Sequence, residues 1–289
     1  MKLPSVNITS ILRLCLMAVL LLPVAVVSAT AQDAAGYRLP QLRKPQLAAA
    51  MPALPPDKVL RLLADQDFPP FSFAARSGEP AGLSTELALA ACAEIKVKCE
   101  VLLKPLPSLL GALASGEGDV IVSGLRIDEQ VLGQALMTRP WFRSMGRFAA
   151  LSGSPLQSGD GQSLAAKRLG AISGTLHAEW LERNFTGSTI VQFQTEAMAQ
   201  EALRVGKVEA LFGDNLRLIY WITGANSRGC CKLLSGAHSD TESFSRSFAF
   251  LMRRDSNALR DAFDLALDRL QLSGATEKIF NVYVPLSPW

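Results

Sequence analysis

Histidine is scarce in this 289-residue chain, with only His177 and His238 present. Neither has a cysteine or carboxylate at metal-ligand spacing, so no zinc site or other metal centre is expected. Glycine-rich loops of the GxGxxG or GxxxxGK type are missing, as is the GxSxG turn, which leaves no motif for nucleotide binding or serine hydrolysis. No cofactor is expected. Charge of one sign is also missing. Setting aside residues 1–31 for the reason given below takes Lys2 and Arg13 from the 29 basic residues, leaving 27 against 26 acids. A net charge of +1 gives no electrostatic footprint for nucleic acid or an anionic membrane. The uncharged apolar run Leu14 to Val27 has 14 residues, short of the ~18 that a spanning helix needs.

That run has another reading. A basic start, the apolar stretch and the small-residue pattern Ala29-Thr30-Ala31 together form a secretory signal peptide over 1–31. The 258 residues that follow, in a chain that is 49% hydrophobic, suffice for one large or two modest domains. Four cysteines remain, Cys92, Cys99, Cys230 and Cys231, in an oxidising compartment if the signal operates. They allow three connectivities, among which the sequence does not choose. Cys230 and Cys231 are either a vicinal disulfide or two free thiols. Residues 32–57 carry five prolines and no sustained period, the composition of a tether without a core of its own.

Beyond the tether the pattern alternates. "KVLRLLA" is a short apolar strand, and Ser84 caps a helix with Leu87, Ala91 and Ile95 on one face. Val97 to Leu103 alternate as a half-buried strand, Leu106 to Leu113 mark a helix stopped at Gly116, and "DVIVSG" is a buried strand. A second β-α-β-α-β series follows the polar stretch 152–163 and ends its third strand at Gly213-Asp214. "SFAFLM" and two helices close the chain. The class is α/β, with two parallel-sheet lobes and a cleft between them.

The order and spacing of "DQDFPPFSF", "GLSTELALAACAEI", "LLGALASGEGDVIVSGLRI", "TRPWF", "GAISGTL" and "ALRVGKVEALFGD" resemble the periplasmic solute-binding proteins of amino-acid ABC transporters, bacterial extracellular solute-binding protein family 3. The resemblance runs from about 59 to 284. It implies a bilobed periplasmic-binding-protein fold with two hinge crossings, near 150–155 and 243–248. It also implies a first lobe of 58–152 and 247–289, and a second lobe of 153–246. It further implies a monomer in the periplasm that binds an amino acid or carboxylate and partners an inner-membrane ABC permease. Some members join the positions of Cys92 and Cys99.

The resemblance also assigns roles. Asp65 matches an acidic ligand position, or else caps the following turn. Phe68 matches the aromatic that covers the ligand, or is a core ring. Leu106 matches an apolar wall. Ser123 and the Gly124 backbone end a strand where ligands bind in open α/β sheets. Gly174 and Thr175 match a turn that receives the ligand carboxylate at a helix start, although Leu176 replaces a second hydroxyl. Asp214 matches the acid that holds the α-ammonium, and also suits a helix cap. Family members bind the carboxylate with an arginine where this chain has Val131. Arg126, five residues earlier, is the candidate replacement; it otherwise pairs with Asp128 or Asp65. Arg139 stands where the family often has an aspartate.

Two other functions remain open on this fold. One is an accessory, partner-binding protein. The other is an enzyme of the cyclohexadienyl dehydratase kind, with Asp65 and Asp214 as acid and base.

Overall fold

The computed structural model describes residues 38–46, 50–55, 57–125, 127, 129–241, 244 and 247–289. The signal segment 1–31, Arg126 and Asp128 lie outside them. Among the described residues no helix is long and apolar enough to cross a membrane.

The first lobe starts with β1 (Leu60–Asp65). A small antiparallel sheet follows, of β2 (Asp67–Phe68), β3 (Ser72–Ala74) and β4 (Pro80–Ala81). Next come α1 (Leu83–Ile95), β5 (Cys99–Lys104), α2 (Leu109–Ala114), β6 (Val120–Ile121), α3 (Glu129–Gln134) and β7 (Ala135–Met137). β1 lies between β5 and β6, parallel to both. With helices on its faces, such a strand must be apolar nearly throughout, which is why LRLLA lacks strict alternation. Ser84 is not the cap of α1. Gly82 occupies that place without a side-chain bond, and the Ser84 hydroxyl donates to the Phe71 carbonyl at 2.7 Å. Cys92 and Cys99 are disulfide-bonded, joining α1 to β5.

β8 (Phe142–Arg143) leads to β9 (Gly146–Leu151), β10 (Arg168–Ile172) and α4 (Leu176–Asn184). β11 (Thr189–Phe193), α5 (Glu196–Arg204), β12 (Ala210–Asp214), α6 (Asn215–Thr223) and β13 (Cys231–Leu233) complete the second sheet and its helices. Its strand order is β11-β10-β12-β9-β13. β9 belongs to this sheet, so the chain changes sheets before residue 146, ahead of the 150–155 read from the sequence. The antiparallel register of β9 on β12 explains the difference, because a strand that enters from the hinge side breaks the β-α alternation. Cys230 and Cys231 are bonded to each other at the edge strand β13.

β14 (Ser247–Phe248) pairs antiparallel with β8. β15 (Leu251–Arg253) then joins the first sheet, in the order β5-β1-β6-β15-β7. α7 (Asn257–Leu272) and α8 (Ala275–Tyr283) pack on the first lobe, their Leu259, Phe263, Leu267 and Phe280 sharing a core with α1. The last residues return to the second sheet. The Arg147 guanidinium donates to the Ser287 carbonyl at 2.8 Å, and the Asn215 amide to that of Pro288 at 3.0 Å.

The described residues of 38–55 are extended but not loose. Leu39, Leu42, Met51 and Leu54 pack against the first core, and Arg43 is buried. The Arg43 guanidinium pairs with Asp264 at 2.6 Å and Asp268 at 2.8 Å. Arg139 pairs with the same Asp268 at 2.6 Å and donates to the Lys44 carbonyl. Asp268 is fully buried and also accepts the Gln46 N–H at 2.8 Å. Arg139 is thus held by two acids of α7 that face it.

Removing one member of a buried ion cluster leaves the others charged without a partner, at a cost of about 3–5 kcal/mol. Asp268→Ala is expected to lose roughly that much in urea unfolding. Amide exchange at Leu42 and Arg43 should rise with it. An unchanged midpoint would show that the N-terminal segment is not held this way.

Candidate functional site

In each sheet the connections leave β1 and β10 toward both sides, and a crevice opens at the carboxyl ends of strands where their direction switches. The ends of β1, β6, β10 and β12 therefore meet across the gap between the sheets. A cavity of about 520 Å³ lies there. Phe68, Gly124 and Phe248 reach it from the first lobe, and Gly174, Thr175, Asp214 and Arg217 from the second.

Phe68 is the outer ring of a stack. Its centroid is 5.2 Å from Phe71, which lies 4.2 Å from Phe248 on β14. Gly124 is required beside it, since an added Cβ would sit 2.4 Å from the Phe68 ring and 2.9 Å from Phe248. Gly174 adopts φ +69°, a conformation that disfavours other residues, and so turns the chain out of β10 into α4. Thr175 caps that helix. Its hydroxyl accepts from Ala178 N–H at 3.2 Å and donates to the Ile172 carbonyl at 2.7 Å. The hydroxyl proton is committed, so what the turn offers an anion is the set of N–H groups at the start of α4.

Asp214 ends β12 and caps α6, its Oδ1 accepting from Leu216 N–H at 3.0 Å and Arg217 N–H at 3.1 Å. Burial pushes its carboxyl above the ordinary range, against those bonds and the nearby Arg217 charge. Asp65 is pushed up as well, again mainly by burial.

Of the sequence candidates, Phe68, Gly124, Gly174, Thr175 and Asp214 line one cavity. Asp65 is buried at the end of β1 and is not among the lining residues, its Oδ1 accepting the Asp67 N–H at 3.1 Å. Ser123 is buried with its hydroxyl 3.3 Å from that of Ser72. Leu106 packs away from the cavity, on the cluster of Leu63, Leu109 and Leu113. Val131 is buried in the same cluster. Arg126 lies outside the described residues. His177 lines the cavity and stacks on Phe244 at 4.5 Å.

Sequence reasoning missed Arg217 and Glu196. The Arg217 Nε is 3.2 Å from Glu196 Oε2, Nη2 bonds to the same oxygen, and the guanidinium carbon is 5.1 Å from the centre of Phe68. Their only signal was position, in the first turns of the helices that follow β11 and β12.

The model for the bacterial extracellular solute-binding proteins, family 3, matches residues 60–285. An "L-arginine-binding protein" of Pseudomonas aeruginosa is 22% identical, over 81% of this chain and 91% of its own length. A "Histidine-binding periplasmic protein" of Salmonella typhimurium is 26% identical, over 81% and 90%. The open substrate binding domain 2 of Lactococcus lactis GlnP is similar in fold, with a TM-score of 0.73 at 22% identity, covering 82% of this chain and all of that one.

The raised Asp214 carboxyl has a measurable consequence in the ligand-free protein. The fold favours the protonated form, so it loses stability as pH rises from the ordinary 3.8 through the raised value. Asp214→Asn keeps the capping oxygen and removes the charge. Its melting midpoint at pH 7 should equal or exceed the parent's, and the parent's acid-side slope should flatten. A clear loss of stability at pH 7 would show that the charge is structural.

Proposed function

Because the chain belongs to the bacterial extracellular solute-binding proteins, family 3, we propose that it captures a small amino acid or related carboxylate between its lobes for an ABC importer. One observation carries the reading. A carboxylate, Asp214, and the N-terminal turn of α4 face the same cavity, which suits the two charges of a zwitterion.

The α-ammonium pairs with Asp214. In a cleft closed to water this pair and its hydrogen bonds are stronger than at a surface. The carboxylate meets the first N–H groups of α4, and Arg126, which follows β6 in sequence, is the chain's candidate for the arginine that Val131 does not supply. Phe68 covers the ligand from the first lobe, with Gly124 keeping room for the ring. Hinge motion at the paired strands β8 and β14 opens and closes the cleft. The protein acts as a monomer, is exported by residues 1–31 and hands its ligand to an inner-membrane permease. No bond is made or broken.

Thermal unfolding against a panel of amino acids and small carboxylates tests this, on protein first unfolded and refolded to remove carried-over ligand. A ligand at 100 times its Kd stabilises by ~2.7 kcal/mol, a rise of several degrees at about 2–4 °C per kcal/mol. One class of amino acid should give that rise, and Asp214→Asn and Arg126→Ala should abolish it while still folding. Silence across the panel would contradict the reading and favour an accessory, partner-binding protein.

A further inference from the structure

We infer that Arg217 determines specificity in this cleft by excluding amino acids with a cationic side chain. The inference rests on the proposed function and narrows its ligand class.

An aromatic face flanked by carboxylates is a place for a cation, since the ring quadrupole and the acids attract the same charge. Phe68, Glu196 and Asp214 make such a place on the cavity wall. The chain fills it from within. Arg217 extends from the first turn of α6, lays its guanidinium 5.1 Å from the centre of the Phe68 ring and gives Nε and Nη2 to Glu196. Its own N–H is meanwhile fixed on Asp214, so the side chain starts from an anchored point.

A ligand with a second positive charge has two ways in, and both are unfavourable. It can displace Arg217 from Glu196 and Phe68, breaking a charge-assisted pair whose side chains are 30% and 29% exposed. Alternatively it stands beside that guanidinium, where like charges repel, the more strongly once closure of the lobes excludes water. Glu179 also lines the cavity, from the first turn of α4. An uncharged side chain finds Ile172, Leu211 and Phe244 on the remaining wall, and an acidic one pairs with Arg217 by displacing Glu196. The ligand is therefore an α-amino acid with an uncharged or acidic side chain. The relatives named for arginine and histidine do not set the class for this chain.

Calorimetric titration of the refolded protein with L-arginine, L-lysine, L-histidine, L-glutamine, L-alanine, L-leucine and L-glutamate tests the inference. The parent should bind an uncharged or acidic amino acid at least 100-fold more tightly than L-arginine or L-lysine. Arg217→Ala uncovers Phe68 and frees Glu196, so its affinity for L-arginine should rise at least tenfold. Arg217→Met, which keeps the apolar contact with the ring, should show the same gain and serves if the alanine variant does not fold. Parent protein that binds L-arginine as tightly as any other amino acid overturns the inference and leaves the proposed function standing. Folded variants that gain nothing for L-arginine overturn it as well. A parent that binds no amino acid overturns both.

Discussion

Helix α6 belongs to both halves of the molecule, and the cleft depends on that. It is tied to the second sheet by Asp214, which ends β12 and caps the helix. Its Leu216 and Ile219, however, are fully buried in the core that β1, α1 and α7 build in the first lobe. A single helix anchored at one end and buried on the other side fixes where its next residues point. Arg217 is thereby delivered to Phe68, and Asn215 to the carbonyl of Pro288 as the chain returns from α8. The lobes are thus connected by β8 and β14 at the hinge, by the returning tail, and by the apolar face of α6.

This arrangement places polar function next to an apolar hinge. Phe68, Phe71 and Phe248 stack from the cavity to strand β14, so the ring facing the cavity is part of the packing that supports the hinge strand. Gly124 is the space this stack needs. On the opposite wall Asp214 carries two tasks, the cap of α6 and a charge aimed into a cavity. Burial works against that charge, an energetic cost that the cap alone does not require, because a neutral oxygen serves the N–H groups equally well.

Most of the architecture was legible because buried parallel strands and amphipathic helices have different periods. β1, β6, β10 and β12 read as apolar runs ending in polar turns, and those turns do meet at one crevice. What was not legible depended on contacts that have no period. The tether reading of 32–57 rested on five prolines and the lack of a sustained period, but the described residues 38–46 pack on the first lobe. They are held by Asp264, Asp268 and Gln271 of α7, more than 200 positions away. Arg139 made no sense alone and is explained by Asp264 and Asp268 facing it. Arg217 read as an ordinary helix residue in NLRLIYW, since nothing local says that its helix leans on the other lobe. The capping of α1 was assigned to Ser84 by residue preference, whereas the backbone turn at Gly82 starts that helix. Leu106 was assigned to a wall by position, and tertiary packing turned it to another cluster.

On the proposed function one amino acid is held by both lobes at once. Hydrogen–deuterium exchange of the refolded protein, with and without a saturating amino acid ligand, tests it most directly. Exchange should slow in peptides over 66–73 and 120–125 of the first lobe and over 170–177 and 212–218 of the second, together in one titration. Protection confined to one lobe, or binding that protects neither set, would contradict it.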